Sequence, residues 1–446
     1  MTQLPHSVVG KAYTSTNAWE TLVDLVEIGN RMPGHEGEKR GAEVMERVFT
    51  DVGLRGVSVD PFDIPGWWRG SSSLSVDGAR SFDARHEILA LPGSPSGTVA
   101  APIVDVGDGL PEEFERTDVS DRIVVASSQT PDSYGRWVHR MEKYACAAEA
   151  GAAGFVFRNH IDGCLPPTGE IGYHDKPDPI PAVGVSKEVG SRLRRYCADG
   201  GPEATLTVDC RNEPARSRNV EGVLGPDTDG EILLTAHVDA HDISDGAIDN
   251  AVGCAIVAEV ARLLTHVESS LGTRVRFVCF GSEETGLHGA YHWLSANDPD
   301  SVEAILNVDL AGDSRTLLAT TNGFDALADL FEDVGESLSV PVSIDERTRA
   351  VGDQWAFVQR GIPSVLLGSV SERADRGWGH THADTLDKID DRDVRALVIS
   401  IASAVLALSS GSYELQHKSP RTVAETVEPD VREGLVRAGV WKFDET

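Results

Sequence analysis

From residue 231 onward the chain alternates regularly between short apolar runs and longer helix-like stretches: EILLTAHV, AVGCAIVAEVARLLTHV, RVRFVCFG, GLHGAYHWLSA and AILNVDLA. Each short run is apolar at almost every position, which suits a strand covered by helices on both faces. Such alternation predicts an α/β architecture, with a mixed, mostly parallel sheet sandwiched by helices. The pattern continues through a helix over 324–338, a strand at SVLLG and a helix over DVRALVISIASAVLAL. That last helix is too apolar for a surface, yet shorter than the ~20 residues a membrane span requires. The tail is polar, and PDVREGLVRAG predicts one more helix there.

The first half has a different texture. Residues 17–54 read as two helices, one with Leu22, Leu25 and Ile28 on a face, then a break at Met32-Pro33-Gly34, then one through Ala42, Val44, Met45 and Val48 toward Gly53. From about 55 to 125 short alternating runs separated by Gly, Pro, Asp and Ser signal strands and turns. An alanine-rich helix (YACAAEAGAAG), a strand (GFVFRN), a loop, a strand (PIPAVGVS) and a helix through Val189, Leu193 and Tyr196 follow, before a polar junction at 211–218. The expected division is 1–70 and 213–410 for the α/β body, 71–212 for an inserted unit and 411–446 for an extension.

Charge narrows the choice of partner. The formal net charge is -31, from 71 acidic and 40 basic residues, with the acids spread along the chain. A nucleic-acid partner is excluded on this ground, since a phosphate backbone needs a basic footprint. Arginine far outnumbers lysine, and a lysine-poor surface rich in carboxylates suits high salt, where the Debye length shrinks to about 3 Å at 1 M. The expectation is a halophilic protein whose activity demands salt. The opening residues MTQLPHSVVGKAYTSTNAWE lack the basic stretch and apolar run of a secretory signal, and no segment reaches the length of a membrane span. A soluble, cytoplasmic protein with no membrane partner is expected; nothing in the pattern specifies an oligomeric state. The six cysteines are scattered without a CxxC pair, and Cys254 and Cys279, within apolar runs, read as buried free thiols.

The apolar runs end in residues that bind metals. His237 and Asp239 close one run two residues apart, so a persisting strand would send both side chains from the same face. A ligand histidine is commonly oriented by a carboxylate on its other ring nitrogen. Asp249 precedes Asn250 at a helix start, where aspartate often serves as an N-cap, but a carboxylate there can also bridge two cations. Glu283 and Glu284 follow a buried run and precede a glycine, so one can ligate a metal while the other faces water. Asp309 emerges from AILNV, a costly place for an acid unless it is paired or metal-bound. HTHADT offers His380 and His382, and spacing alone does not choose between them. His241, His288 and His292 read as structural or solvent-facing.

The segments TAHVDAHD, GAIDNAVG, SEETGLHGA, NVDLAG and HTHADTLDKID together resemble the five signature blocks of the dinuclear zinc aminopeptidases and glutamate carboxypeptidases of metallopeptidase family 28. The similarity runs over about 215–410 and includes NRMPGHEGEKRG near the N-terminus. DRIVVAS, AAEAGAAGFVF and IPAVGVSKEVGSRL resemble the protease-associated (PA) domain, a mainly-β insert. The resemblance implies a zinc-exopeptidase fold holding two Zn2+ ions, with Co2+ or Mn2+ able to substitute. By position, His237 and Asp309 would hold one ion and Glu284 and His380 the other, with Asp249 bridging them. Glu283 would be the general base and Asp239 the catalytic aspartate. His380 is preferred because the family pattern HTxxDT begins there. Many relatives carry SDH where this chain reads GDQWAF, a departure that bears on the substrate pocket.

The implied activity is metal-dependent hydrolysis of a peptide substrate from one end, with an aminopeptidase expected first. A carboxypeptidase or dipeptidase on the same scaffold is the nearest alternative. A non-catalytic, receptor-like binding protein is the reading from another class, and it would purify without two tightly held ions.

Overall fold

The computed structural model describes residues 2–172, 179–198, 200–371 and 377–443. Helices α1 (His6–Thr14), α2 (Asn17–Val26) and α3 (Glu36–Val52) open the chain. The break expected at Met32-Pro33-Gly34 separates the last two, and Gly53 ends α3 in the left-handed conformation (φ 92°) that a side chain would resist. The 22-residue strand β1 (Arg55–Val76) leads into the insert. There follow β2 (Ser81–Phe82), β3 (Ile88–Ala90), β4 (Gly97–Asp105), α4 (Pro111–Arg116), β5 (Ile123–Ser127), α5 (Arg140–Glu149), β6 (Gly154–Arg158), β7 (Ala182–Val185) and α6 (Lys187–Ala198).

The 22-residue β8 (Glu203–Leu224) returns from the insert, paired antiparallel with β1 from Arg55↔Val223 to Val76↔Ala204 across two register shifts. The expected junction at 211–218 lies within this ribbon. Its polar residues belong to a two-stranded stretch that is largely exposed, which gives the segment the composition of a linker. The expected boundaries at 70/71 and 212/213 fall inside these two strands.

The body then alternates as anticipated: β9 (Glu231–His237), α7 (Val252–Thr265), β10 (Arg274–Phe280), α8 (His288–Ala296), β11 (Val302–Val308), β12 (Leu317–Thr320), α9 (Asp325–Leu338), β13 (Val342–Asp345), α10 (Gln354–Val358), β14 (Ser364–Ser369) and α11 (Asp391–Ser409). Its strand order is β13-β12-β14-β11-β9-β10-β8. Strands β14, β11, β9 and β10 are parallel neighbours, whereas β12 joins β14 and β8 joins β10 antiparallel.

Period-two alternation along β9 divides the core. Ile232, Leu234 and Ala236 join α2, α3, α7, α9 and α11 on one face, while Leu233 packs with Trp293 of α8 and Phe357 of α10 on the other. β9 lies between its two parallel neighbours, and the chain runs from β10 across it to β11. In open α/β sheets such a reversal leaves a crevice at the carboxyl ends of the strands.

The insert repeats the layering on a smaller scale. In its sheet β3 pairs antiparallel with β7, β7, β6, β5 and β4 pair in parallel, and β4 joins β8 antiparallel. Val125 and Val156 face α6, while Val124 and Phe155 face α5. The extension carries two helices, α12 (Pro420–Thr426) and α13 (Pro429–Ala438), where the sequence suggested one. Val423 and Phe443 pack on Trp355 and Val358 of α10, and Arg437 of α13 reaches Cys146 and Glu149 of α5. The extension therefore ties the body to the insert.

Among the described residues no helix is long and apolar enough to cross a membrane. All six cysteines are free, and Cys254 and Cys279 are buried.

Candidate metal centre

Each expected ligand comes from a strand end or the loop behind it. His237 is the last residue of β9, Glu283 and Glu284 follow β10, Asp309 follows β11, and His380 lies in the loop after β14. Asp249 precedes α7, in a tight turn over Ala247–Ala251 with a cis Asp249–Asn250 peptide. Ala251 is the N-cap, and it is Asn250, not Asp249, that serves the helix start from just before it: its Oδ1 accepts the Gly253 N–H at 3.1 Å. A Cβ on Gly253 would stand 2.1 Å from that oxygen and 2.8 Å from the Val308 carbonyl, so glycine lets the helix start press against β11. Ser282 (φ 58°), Leu310 (φ 54°) and His380 itself (φ 58°) all adopt left-handed backbone. Strain of this kind concentrates at functional sites.

These side chains meet. His237 Nε2 lies 3.2 Å from Asp249 Oδ1 and 3.6 Å from Asp309 Oδ1. His380 Nε2 lies 3.2 Å from Asp249 Oδ2 and 3.1 Å from Glu284 Oε2. The two oxygens of Asp249 thus face different imidazoles. His382 does not take part, because its ring nitrogens sit 2.9 Å from the Ile243 carbonyl and 3.1 Å from that of Arg85.

Asp239 departs from the expected arrangement. β9 ends at His237, so the strand does not persist to Asp239, and the His237 Nδ1 lies nearer the Asp239 carbonyl oxygen (3.1 Å) than its carboxylate (3.6 Å). The carboxylate accepts the N–H groups of Glu283 and Glu284 instead, both at 3.1 Å. It therefore sets the backbone that presents both glutamates.

The donor atoms fit a metal better than one another. His237 Nε2, Asp309 Oδ1 and Glu284 Oε1 are buried without a hydrogen-bond partner, although groups of opposite charge lie close by. A desolvated polar atom left so is costly. Imidazole and carboxylate donors converging without hydrogen-bond alignment are the set that zinc and similar ions take.

The electrostatics agree with that fit. Burial lowers the pKa of His237, yet Asp239, Asp249 and Asp309 outweigh it and hold the imidazole well above its ordinary value. Loss of water, reinforced by Asp309, Glu284 and Asp353 against His237, holds the half-buried Glu283 carboxyl well above the usual carboxylate range. Burial likewise raises Glu284, but His241 and His380 reverse this and hold it well below that range.

Four residues not predicted for the site surround it. His241 Nε2 lies 2.9 Å from Glu284 Oε2 and the ring is buried, so of the two expected roles the solvent-facing one does not match its placement. It stands two residues beyond Asp239, in a loop whose path periodicity does not give. Asp384 accepts the N–H groups of Ile248 (2.7 Å) and Asp249 (3.2 Å); it is the aspartate of HTxxDT and was legible there. Asp353, in GDQWAF, is fully buried beside His237, Asp239 and Asp309 with neither carboxylate oxygen hydrogen-bonded. Arg31, also fully buried, donates to the carbonyls of Leu25, Val238, Asp245 and Gly246 and so pins the loop after β9.

The insert reaches the site as well. Thr168 N donates to the His380 carbonyl at 2.9 Å, and His380 Nδ1 lies 3.3 Å from the Thr168 carbonyl. Arg69 grips Asp242 with contacts of 2.6–3.1 Å, donates to Thr168 Oγ1 at 3.0 Å and also contacts the Ala90 carbonyl.

Comparison with known proteins bears on the family and the fold. The sequence profile described as peptidase family M28 matches residues 219–405, and that of the PA domain matches 97–193. The chain is 26% identical to aminopeptidase YwaD of Bacillus subtilis (strain 168), over 94% of this chain and 90% of that protein. It is also 26% identical to carboxypeptidase Q of Bos taurus, over 93% of this chain and 89% of that one. Among solved structures, an aminopeptidase from Aneurinibacillus sp. strain AM-1 is 25% identical and superimposes with a TM-score of 0.70, covering 93% of this chain and 98% of its own. A peptidase M28 precursor from Shewanella amazonensis SB2B shares the fold with a TM-score of 0.77 at 22% identity, covering 92% and 97%.

Proposed function

We infer that this metallo-exopeptidase, a member of peptidase family M28 with a PA domain set into it, is an aminopeptidase that uses two zinc ions to release N-terminal residues from peptides. The observation that carries the reading is the placement of Asp249, whose two oxygens lie 3.2 Å from His237 and 3.2 Å from His380. His237 and Asp309 would hold one ion, Glu284 and His380 the other, and Asp249 both; cobalt or manganese could replace zinc on the same donors. When bound, such a pair supplies an acidified water and a polarised peptide carbonyl.

The chain's own residues do the rest. Glu283 takes a proton from the attacking water and returns it to the leaving nitrogen, work suited to a carboxyl whose pKa lies well above the usual range. Asp239 holds the Glu283 N–H at 3.1 Å and so fixes where that carboxylate starts. Thr168 of the insert meets His380, and Arg69 of β1 bonds both Thr168 and Asp242, which brings the insert against the site and narrows it toward short peptides. In this reading residues 1–70 and 213–410 form the peptidase body, 71–212 the insert and 411–446 the extension.

The direction of attack follows from charge. Of the cations beside the site among the described residues, Arg31 is committed to backbone carbonyls and Arg69 to Asp242, so neither is free for a substrate carboxylate. Asp353, by contrast, holds two acceptor oxygens without a hydrogen-bond partner beside the site, and a free ammonium would supply the N–H groups they lack. The similarity to carboxypeptidase Q supports the second reading, attack from the carboxyl end. Peptides blocked at one end or the other, assayed with added zinc in high salt, separate the two. Loss of cleavage on blocking the amine is expected; loss on blocking the carboxylate overturns the aminopeptidase reading. The acidic excess supports a salt-rich setting, and full activity in dilute buffer would count against it.

A further inference from the structure

We propose that His241 is itself a metal ligand, an additional nitrogen donor to the ion that Glu284, His380 and Asp249 face, making that half of the centre the tighter one. This rests on the two-ion reading above.

His241 Nε2 is 2.9 Å from Glu284 Oε2, and His380 Nε2 is 3.1 Å from that same oxygen. The two rings stand edge to face, 4.5 Å between centroids and 84° between planes, so the imidazoles approach one carboxylate oxygen from different sides. His241 is 3% exposed, and neither of its ring nitrogens has a hydrogen-bond partner. A buried imidazole held only to orient a carboxylate would spend an N–H on it in an aligned hydrogen bond. This contact lacks that alignment.

The donor atoms of His241, Glu284 and His380 all lie within 4.8 Å of one another. Bonds of about 2.0–2.2 Å to a tetrahedral ion place donors about 3.4 Å apart, so the group needs only shifts of about an ångström or less to close on a cation. The loop that carries His241 is fixed on both sides. Arg31 holds the carbonyls of Val238, Asp245 and Gly246, and Arg69 holds the side chain of the adjacent Asp242.

The centre is consequently asymmetric. The His237 half offers one imidazole with Asp309 and Asp249, whereas the His380 half offers two with Glu284 and Asp249. Nitrogen-rich sets favour zinc, and carboxylate-rich sets tolerate harder ions such as manganese. The ion at the His380 half should leave last under chelation, and manganese should enter the His237 half first.

The test compares wild-type enzyme with His241→Ala and His241→Phe after loading with zinc, using X-ray absorption to count imidazoles and competition with a chelator to measure affinity. Three imidazoles per two ions are expected in the wild type and two in each variant. The affinity of the tighter ion should fall about 100-fold or more, beyond the 10–100-fold typical of losing an outer hydrogen-bond partner. An unchanged imidazole count in both variants overturns the proposal, whether or not affinity falls, and places His241 outside the metal's own ligands. A wild-type enzyme that binds fewer than two ions refutes the two-ion reading instead. Circular dichroism of the metal-free forms checks that each variant still folds.

Discussion

In the insert, the fully buried ammonium of Lys143 donates to the carbonyls of Asp108, Ser127 and Gln129 at 2.7–2.9 Å, and Arg136 meets Glu142 through two parallel contacts of 2.7 and 2.8 Å. In the peptidase body, the buried atoms His237 Nε2, Glu284 Oε1, Asp309 Oδ1 and both oxygens of Asp353 have no hydrogen-bond partner. The two lobes share one layered plan, so this difference is not one of fold. Among the described residues the insert leaves open only two buried guanidinium N–H donors, Arg136 Nε and Arg158 Nε, in side chains bonded through other nitrogens. The body leaves open carboxylate oxygens and imidazole nitrogens, the atoms a cation from outside the chain would meet. Lone pairs without protons to meet them mark the body as the place where chemistry is done.

The comparison breaks most visibly at Asp249. Asp249→Asn keeps the shape but removes the charge that faces both imidazoles. Metal analysis should fall from two ions toward none and peptide cleavage to background; a variant that retains both ions would show that the unpartnered atoms are not a shared metal site. Next comes Glu283→Gln, which should keep both ions and lower kcat by about 10²–10⁴-fold, the usual worth of a general base. Near wild-type turnover would remove Glu283 from proton transfer.

In the other lobe the effect should be on stability alone. Lys143→Met strands three buried carbonyls and should cost about 3 kcal/mol in denaturant unfolding, with metal content unchanged. Loss of metal from this variant would mean the lobes do not divide their tasks as described.

An effect on pH dependence, leaving metal content and activity aside, sharpens the boundary between them. Glu38 in α3 is fully buried, accepts the Gly34 N–H at 2.8 Å and bonds Ser217. Burial first, then Asp239, pushes its carboxyl up to about 8. Between the ordinary value of 4.5 and 8 the native state therefore holds a proton that the unfolded chain has released, so stability is lost as pH rises through that window. Glu38→Gln removes the titration. Relative to wild type it should gain stability steadily from pH 5 to 8, read as the difference in Tm, and a flat difference would show that the site does not titrate there.

Much of this molecule was legible in its sequence because buried parallel strands leave unbroken apolar runs. EILLTAH, RVRFVCF and AILNV gave the body, and each ends where a donor begins. The short elements were not legible: β12 and β13 have four residues each and α10 has five, too few for a period to repeat. His241 was missed because its place depends on how Arg31 and Arg69 fold a loop, which no spacing encodes. The 211–218 stretch was misread because an exposed ribbon and a linker have the same composition.

At about 3.3 Å per residue, the two 22-residue strands that run through both lobes amount to a girder about 70 Å long. Like the blades of a gauge, the two lobes it joins can part for a bulky chain only by bending or twisting that ladder. Polypeptides would then be sorted at the mouth by calibre, and folded proteins turned away however tempting their ends.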